Sequence, residues 1–269
     1  MATRDSVRPD HDRFGIRKLR PDRVGGMAWA ADWEQARRFS GQDPADPWFD
    51  ADHGSGSFRV ADGMLVVSGP HPRMHVRHPG LARQWRDVEV TMYFRARRRG
   101  PAYAGMVAVA RTNHGISGDP VVDQCDSRGL GARMRYDGVV DVEKETAHPA
   151  NVVLGARRLW SGGLPLERWI GFKYLVRDQG PEVDVEVWQD LAEGADGGHW
   201  ERVLSARDDG RSFGSVRCAR TVDPRAALTG HPERLGSESG LPNLSVYFRT
   251  DGVGAEGLVY RWGSVREID

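Results

Sequence analysis

The chain reads as an all-β protein: an antiparallel two-sheet β-sandwich of the jelly-roll type, preceded by a short N-terminal arm and helix. Three observations carry this reading. After residue 40 almost no segment keeps the 3.6-residue period of an amphipathic helix. About a dozen short runs instead alternate apolar with polar residues, the period of a half-buried strand. Turn dipeptides such as Asp137-Gly138, Gly180-Pro181 and Asp251-Gly252 separate them. Many short strands joined by tight turns belong to sandwiches and barrels rather than to α/β folds.

Residues 1–26 are charged, punctuated by Pro and Gly, and lack a period, which predicts an arm. Trp29 to Arg38 places Trp29, Trp33 and Ala36 on one side of a short predicted helix. The division expected is an arm over 1–45 and one sandwich domain over 46–269. Strands are expected at Ser57–Val60, Gly63–Ser68 and Arg73–Arg77. Asp87–Arg95 follows, with Val88, Val90, Met92 and Phe94 facing in. Gly105–Arg111 is apolar on both faces, which marks a central strand. Leu130–Tyr136, Val139–Glu145, Trp169–Arg177, Glu182–Asp190 and Trp200–Leu204 continue the series. Leu244–Thr250, Gly257–Arg261 and Val265–Ile268 close it. The polar stretch 205–243 reads as a long functional or disordered loop.

Composition narrows the function. The chain has 269 residues, with 38 Lys+Arg against 38 Asp+Glu. A net charge of zero argues against nucleic acid and membrane surfaces as general partners, because both need a basic excess. No run of about 18 apolar residues occurs, and Met-Ala-Thr-Arg-Asp lacks a signal core, so a cytoplasmic protein is expected unless a leader was removed. Only three lysines, Lys18, Lys144 and Lys173, stand among the 38 basic residues. Arg in such excess follows from a GC-rich genome, yet it singles out the two lysines inside strands. Cys125 and Cys218 sit in polar stretches, either as a disulfide between loops or as free thiols. No dinucleotide fingerprint, phosphate loop, nucleophile elbow or Cys/His zinc cluster is present.

Asp87–Arg95, Trp169-Ile-Gly-Phe-Lys-Tyr174, Val183–Trp188 followed by Gly197-Gly198-His199-Trp200, and the closing Val246-Tyr-Phe-Arg-Thr-Asp251 occur in an order that resembles the concanavalin A-like lectin/glucanase superfamily. The resemblance covers about residues 46–268 and is one of strand rhythm. It implies two curved antiparallel sheets, a groove on the concave one, and a polysaccharide or oligosaccharide partner. Whether the polymer is cleaved, by a polysaccharide lyase or a glycoside hydrolase, or only bound by an adhesion-type module stays open.

Candidate site residues follow from strand faces. In Val139-Val-Asp-Val-Glu-Lys-Glu145 alternation puts Asp141, Glu143 and Glu145 on one face and Lys144 on the other with Val140 and Val142. The spacing of these acids is similar to the acidic strand of laminarinase-type hydrolases. They serve as catalytic acid and base, as ligands, or as a salt-bridged outer face. Only a bulge would bring Lys144 to the side of Glu145. A lyase site of the alginate-lyase type needs a cation to neutralise a uronate and a base to take its proton. His114, Arg133, Lys144 and Glu145 are the catalytic candidates. Arg111, Asn113, Tyr136, Lys173 and Arg249 are contributors to substrate binding. Trp160 and Trp188 are stacking candidates, Trp188 sharing a face with Glu186. Asp50-Ala-Asp52 with its following glycines could hold a structural calcium ion; no other cofactor is expected.

Overall fold

A computed structural model describes residues 9–51, 56–112, 128–147, 150–211, 227–230 and 243–269. Two antiparallel sheets pack face to face, as the strand rhythm predicts. The strands are numbered in chain order. The first sheet runs β15 (Glu201–Asp208), β14 (Glu182–Asp190), β13 (Ile170–Gln179), β8 (Val88–Ala96), β17 (Val253–Glu267), β6 (Met64–Gly69), β5 (Ser57–Ala61) and β2 (Arg37–Phe39), with β1 (Ala28–Ala30) also on β17. The second runs β12 (Ala150–Arg158), β11 (Val139–Ala147), β10 (Gly129–Arg135), β9 (Gly105–Thr112), β16 (Ser245–Arg249), β7 (Arg73–Arg77), β4 (Phe49–Ala51) and β3 (Gly41–Gln42).

Alternation decides what each sheet buries. Val88, Val90, Met92 and Phe94 of β8 point inward, joined by Ile170, Phe172, Tyr174 and Val176 of β13. Facing them are Met106, Ala108 and Ala110 of β9, Leu130, Ala132 and Met134 of β10, and Val246 and Phe248 of β16. The predicted central strand β9 does lie in mid-sheet, between β10 and β16. The Tyr174 hydroxyl crosses the core and donates to the Leu130 carbonyl at 2.6 Å, so even this buried phenol has its partner.

The expected helix over Trp29–Arg38 is absent; that stretch supplies strands β1 and β2 instead. Trp29 stacks on Phe49 with ring centroids 5.6 Å apart, and its indole donates to Asp46. Sheet pairing and this aromatic contact override a helical spacing only ten residues long. β12 has no counterpart in the strands predicted from the sequence. It is an edge strand carrying Gly155 and largely exposed side chains, so its alternation is weak. Gly257–Arg261 and Val265–Ile268, expected as separate strands, join in one long β17. It is bulged between Arg261 and Ser264, where Trp262 is left-handed at φ 54°.

The outer faces differ. Residues 10–22 lie across the first sheet. Phe14 and Ile16 pack there with Val66, Tyr93, Trp169 and Val259, a second small core outside the sandwich. Trp169 belongs to this outer cluster, with Arg95 and Arg261 over its ring. The outer face of the second sheet is built differently and holds most of the acidic strand.

Candidate functional site

On the second sheet, the side chains not used by the core line up across neighbouring strands. β11 contributes Asp141, Glu143 and Glu145, and β10 contributes Arg133 and Arg135. β9 adds Val107 and Val109; β16 adds Tyr247 and Arg249. β7 gives Arg73, His75 and Arg77, and β4 gives Asp50. Val107, Val109 and Tyr247 form an apolar strip of their own on this face.

The acids are spread over β10 because that strand has no side chains in their way. Gly131 pairs with Glu143, and Gly129 with Glu145. A Cβ at Gly131 would stand 3.3 Å from Glu143 Cγ, and one at Gly129 would stand 2.5 Å from Val109. Glycine at these positions therefore leaves room for carboxylates to lie across the strand.

Each described arginine on this face meets a carboxylate. Arg133 grips Asp141 with Nε at 2.7 Å and Nη2 at 2.8 Å, a bidentate pair, and its Nη1 lies 2.7 Å from Glu143. Arg135 reaches Asp141 at 3.0 Å and Asp137 at 2.6 Å. Arg73 and Arg249 face each other across β7 and β16, and like charges so placed repel. Asp251 relieves this by accepting from Arg73 at 2.8 Å and from Arg249 at 3.1 Å. Arg77 pairs with Asp50.

Electrostatics separates the acids. Burial pushes the Glu143 carboxyl above its ordinary range; Arg133 and Arg249 oppose the rise, and Glu145 and Asp141 add to it. Burial acts the same way on Asp251, but Arg73 and Arg249 outweigh it and hold that group down to about 2. Tyr247 is raised by burial, against the pull of Arg73 and Arg249. Its ring stacks on His75 with centroids 4.5 Å apart and planes 15° from parallel. His75 Nδ1 lies 3.0 Å from Ser245 Oγ. The face is deep-set: His75 is 2% exposed, Tyr247 3% and Glu143 7%.

Several sequence candidates fall elsewhere. Lys144 points inward, and its Nζ meets Asp208 at 2.9 Å with both side chains fully buried. A bulge does occur beside it, but the extra residue is Leu154 on β12, while β11 pairs regularly with β10. Lys144 therefore stays on the core face and is removed from the site. Arg111 also leaves the outer face. It lies at a bulge opposite β16 and is left-handed at φ 56°, which turns its guanidinium to Asp87 at 2.7 Å and Asp178 at 3.0 Å. Tyr136 is core. Trp160 is half-buried against the core rather than standing free as a stacking platform.

Lys173, Glu186 and Trp188 lie on the outer face of the first sheet, on the opposite side of the sandwich from Glu143. Lys173 Nζ donates to Glu89 and to Thr91 Oγ1, each at 2.7 Å, and lies 4.8 Å from the Trp200 ring centroid. Trp188 donates its indole N–H to Glu186 at 2.9 Å, with Arg202 over its ring. His114, Asn113, Cys125 and Cys218 lie outside the described residues, as does Asp52. Asp50 pairs with Arg77, and the second residue of the expected calcium site lies outside the described residues. No group of three or more potential metal ligands occurs among the described residues.

His75, Tyr247, Arg73, Arg77 and Asp251 were missed as site residues. The signal was present: Met74 and Val76 face in, which sends Arg73, His75 and Arg77 out together. What one sequence does not show is that β7 and β16 are neighbours, since His75 and Ser245 stand 170 residues apart.

No protein-family model matches the chain, and no curated protein matches it in sequence. Solved structures similar to it include arcelin-5, a lectin-like defence protein from Phaseolus vulgaris, at 9% identity and TM-score 0.49, covering 87% of this chain and 99% of that one. The exoplasmic/lumenal domain of VIP36, in a Ca2+/Man3GlcNAc-bound form, aligns at 10% identity and TM-score 0.47, covering 90% and 91%. A marine PL-14 alginate lyase from Aplysia kurodai aligns at 8% and 0.42, covering 73% and 75%. At these identities and scores the likeness assigns no residue a role. Among the described residues no helix is long and apolar enough to cross a membrane.

Proposed function

We propose that this protein binds a polysaccharide or oligosaccharide along the outer face of its second sheet. One observation carries the reading: five neighbouring strands, β11, β10, β9, β16 and β7, lay fixed polar groups on either side of an apolar strip. Four strand spacings of about 4.8 Å make a band roughly 19 Å across, the scale of several linked sugars rather than one. Sugar hydroxyls both donate and accept, so a surface of ordered guanidiniums and carboxylates satisfies them. The apolar strip of Val107, Val109 and Tyr247 suits their C–H faces. The strand rhythm noted in the sequence points to the same ligand class, as analogy of fold.

Cleavage is a second reading, favoured by Glu143. A carboxyl that burial pushes above its ordinary range, beside a second carboxyl two residues on, is the arrangement a glycoside hydrolase uses for its acid and its partner. Glu143 and Glu145 stand roughly 6.5–7 Å apart at Cα, within reach of either stereochemical class. Lys144 has no part in this reading.

Incubation with a polysaccharide panel tests both. Absorbance near ~235 nm reports unsaturated uronates from β-elimination, and reducing ends report hydrolysis. Retardation of the protein in a polysaccharide gel with neither signal is the result expected for binding alone. Reducing ends that vanish in Glu143→Gln select the hydrolase reading. No retardation and no product with any polymer contradicts the proposal.

A further inference from the structure

We infer that the glycan held on this face is uncharged. The inference rests on the carbohydrate reading above and narrows it to a substrate class. A site that selects uronates or sulfates keeps guanidiniums available for a bidentate pair with the incoming anion. Among the described residues, the five arginines of the face are each engaged by the protein's own carboxylates. Arg133 holds Asp141 and Glu143, Arg135 holds Asp137 and Asp141, and Arg77 holds Asp50. Arg73 and Arg249 share Asp251, and Glu145 acts on Arg249 as a further negative neighbour.

An anionic sugar would have to displace one of these carboxylates. The displaced group would stay buried without its cation, which is the costly way to break an ion pair. Asp141 and Asp251 are both buried. The newcomer would also approach Glu143, whose carboxyl offers it repulsion or, at best, one protonated oxygen. A neutral sugar meets no such conflict. Its hydroxyls bond to the lone pairs and N–H groups the ion pairs leave over, while Val107, Val109 and Tyr247 cover its apolar face.

Affinity electrophoresis of the full chain tests this, with the neutral polymers laminarin, glucomannan and xyloglucan set against alginate and polygalacturonate. Runs at about 0.1 M and about 1 M NaCl separate screened from unscreened attraction. The expected result is retardation by at least one neutral polymer, held at high salt, and none by the uronans. Retardation by the uronans, alone or alongside neutral polymers, overturns the inference while leaving the carbohydrate reading standing. Retardation by no polymer overturns the carbohydrate reading, and this inference with it. Asp251→Asn provides a second arm. Once circular dichroism shows it folded, it frees Arg73 and Arg249 and is expected to be retarded by alginate at low salt. A folded variant still indifferent to alginate would overturn self-pairing as the cause.

Discussion

The two outer faces of this sandwich were written by the same alternation and ended differently. On the first sheet, Glu89 of β8 and Lys173 of β13 face outward as a soluble strand's polar residues should. Residues 10–22 then close over them. Glu89 accepts from Lys173 at 2.7 Å, from the backbone of Leu19 and Arg20, and pairs with Arg266. Phe14 and Ile16 seal the patch with apolar contacts. On the second sheet, the outward charges neutralise one another within the sheet, around Val107, Val109 and Tyr247. One face is closed by residues 10–22, and the other is an ordered polar band whose own side chains are deep-set. An outward-facing charge in a strand therefore says little about function until its cover is known.

The largest effect is expected at Glu89. Glu89→Ala leaves Lys173 and Arg266 buried without their shared carboxylate and is expected to cost about 3–5 kcal/mol in urea unfolding. A loss below about 1 kcal/mol would mean that the arm does not seal this face. Ile16→Ala comes next. It removes a buried anchor of the arm and is expected to cost about 2–4 kcal/mol; a value near zero would make residues 10–22 a loose tail.

The second sheet should show itself in pH dependence. Glu143 is raised above its ordinary 4.5, so the folded protein binds a proton there that the unfolded chain has lost. Stability from this group therefore falls as pH rises from 4.5 through the folded value. Glu143→Gln is expected to flatten that slope. Asp251 has the opposite sign: its stabilisation is present above 3.8 and is lost as pH falls toward about 2. Asp251→Asn should remove that acid limb, read as unfolding midpoints across the two intervals. The smallest effect is expected at Arg207, whose pairs with Asp184 and Glu182 are solvent-exposed. Arg207→Ala should leave the thermal midpoint unmoved, because exposed ion pairs are screened and loosely held.

Much of this was legible in the sequence. Alternation gave most of the strands, the inward set of β8 and the shared face of Asp141, Glu143 and Glu145, and a run apolar on both faces gave the central place of β9. It also placed Lys144 with Val140 and Val142, where it meets Asp208. The failures share a cause, in that they depend on what lies beside or above a strand. Lys173 and Trp188 were grouped with the acidic strand because nothing local reveals that they lie on the other sheet. Arg111 was expected to point outward, and a left-handed bulge turned it in. His75 and Tyr247 were passed over because each is ordinary in its own strand and they meet only through a long-range pairing. The helix over Trp29–Arg38 failed because sheet edges recruited those residues.

The proposed ligand site is the second sheet's outer face, and not the first's. The direct measurement is a glycan titration of matched variants, Tyr247→Ala on the second sheet and Trp188→Ala on the first. Tyr247→Ala is expected to weaken affinity at least about tenfold, or ~1.4 kcal/mol, while Trp188→Ala binds as the parent does. Loss of binding in Trp188→Ala with Tyr247→Ala unaffected would contradict that placement.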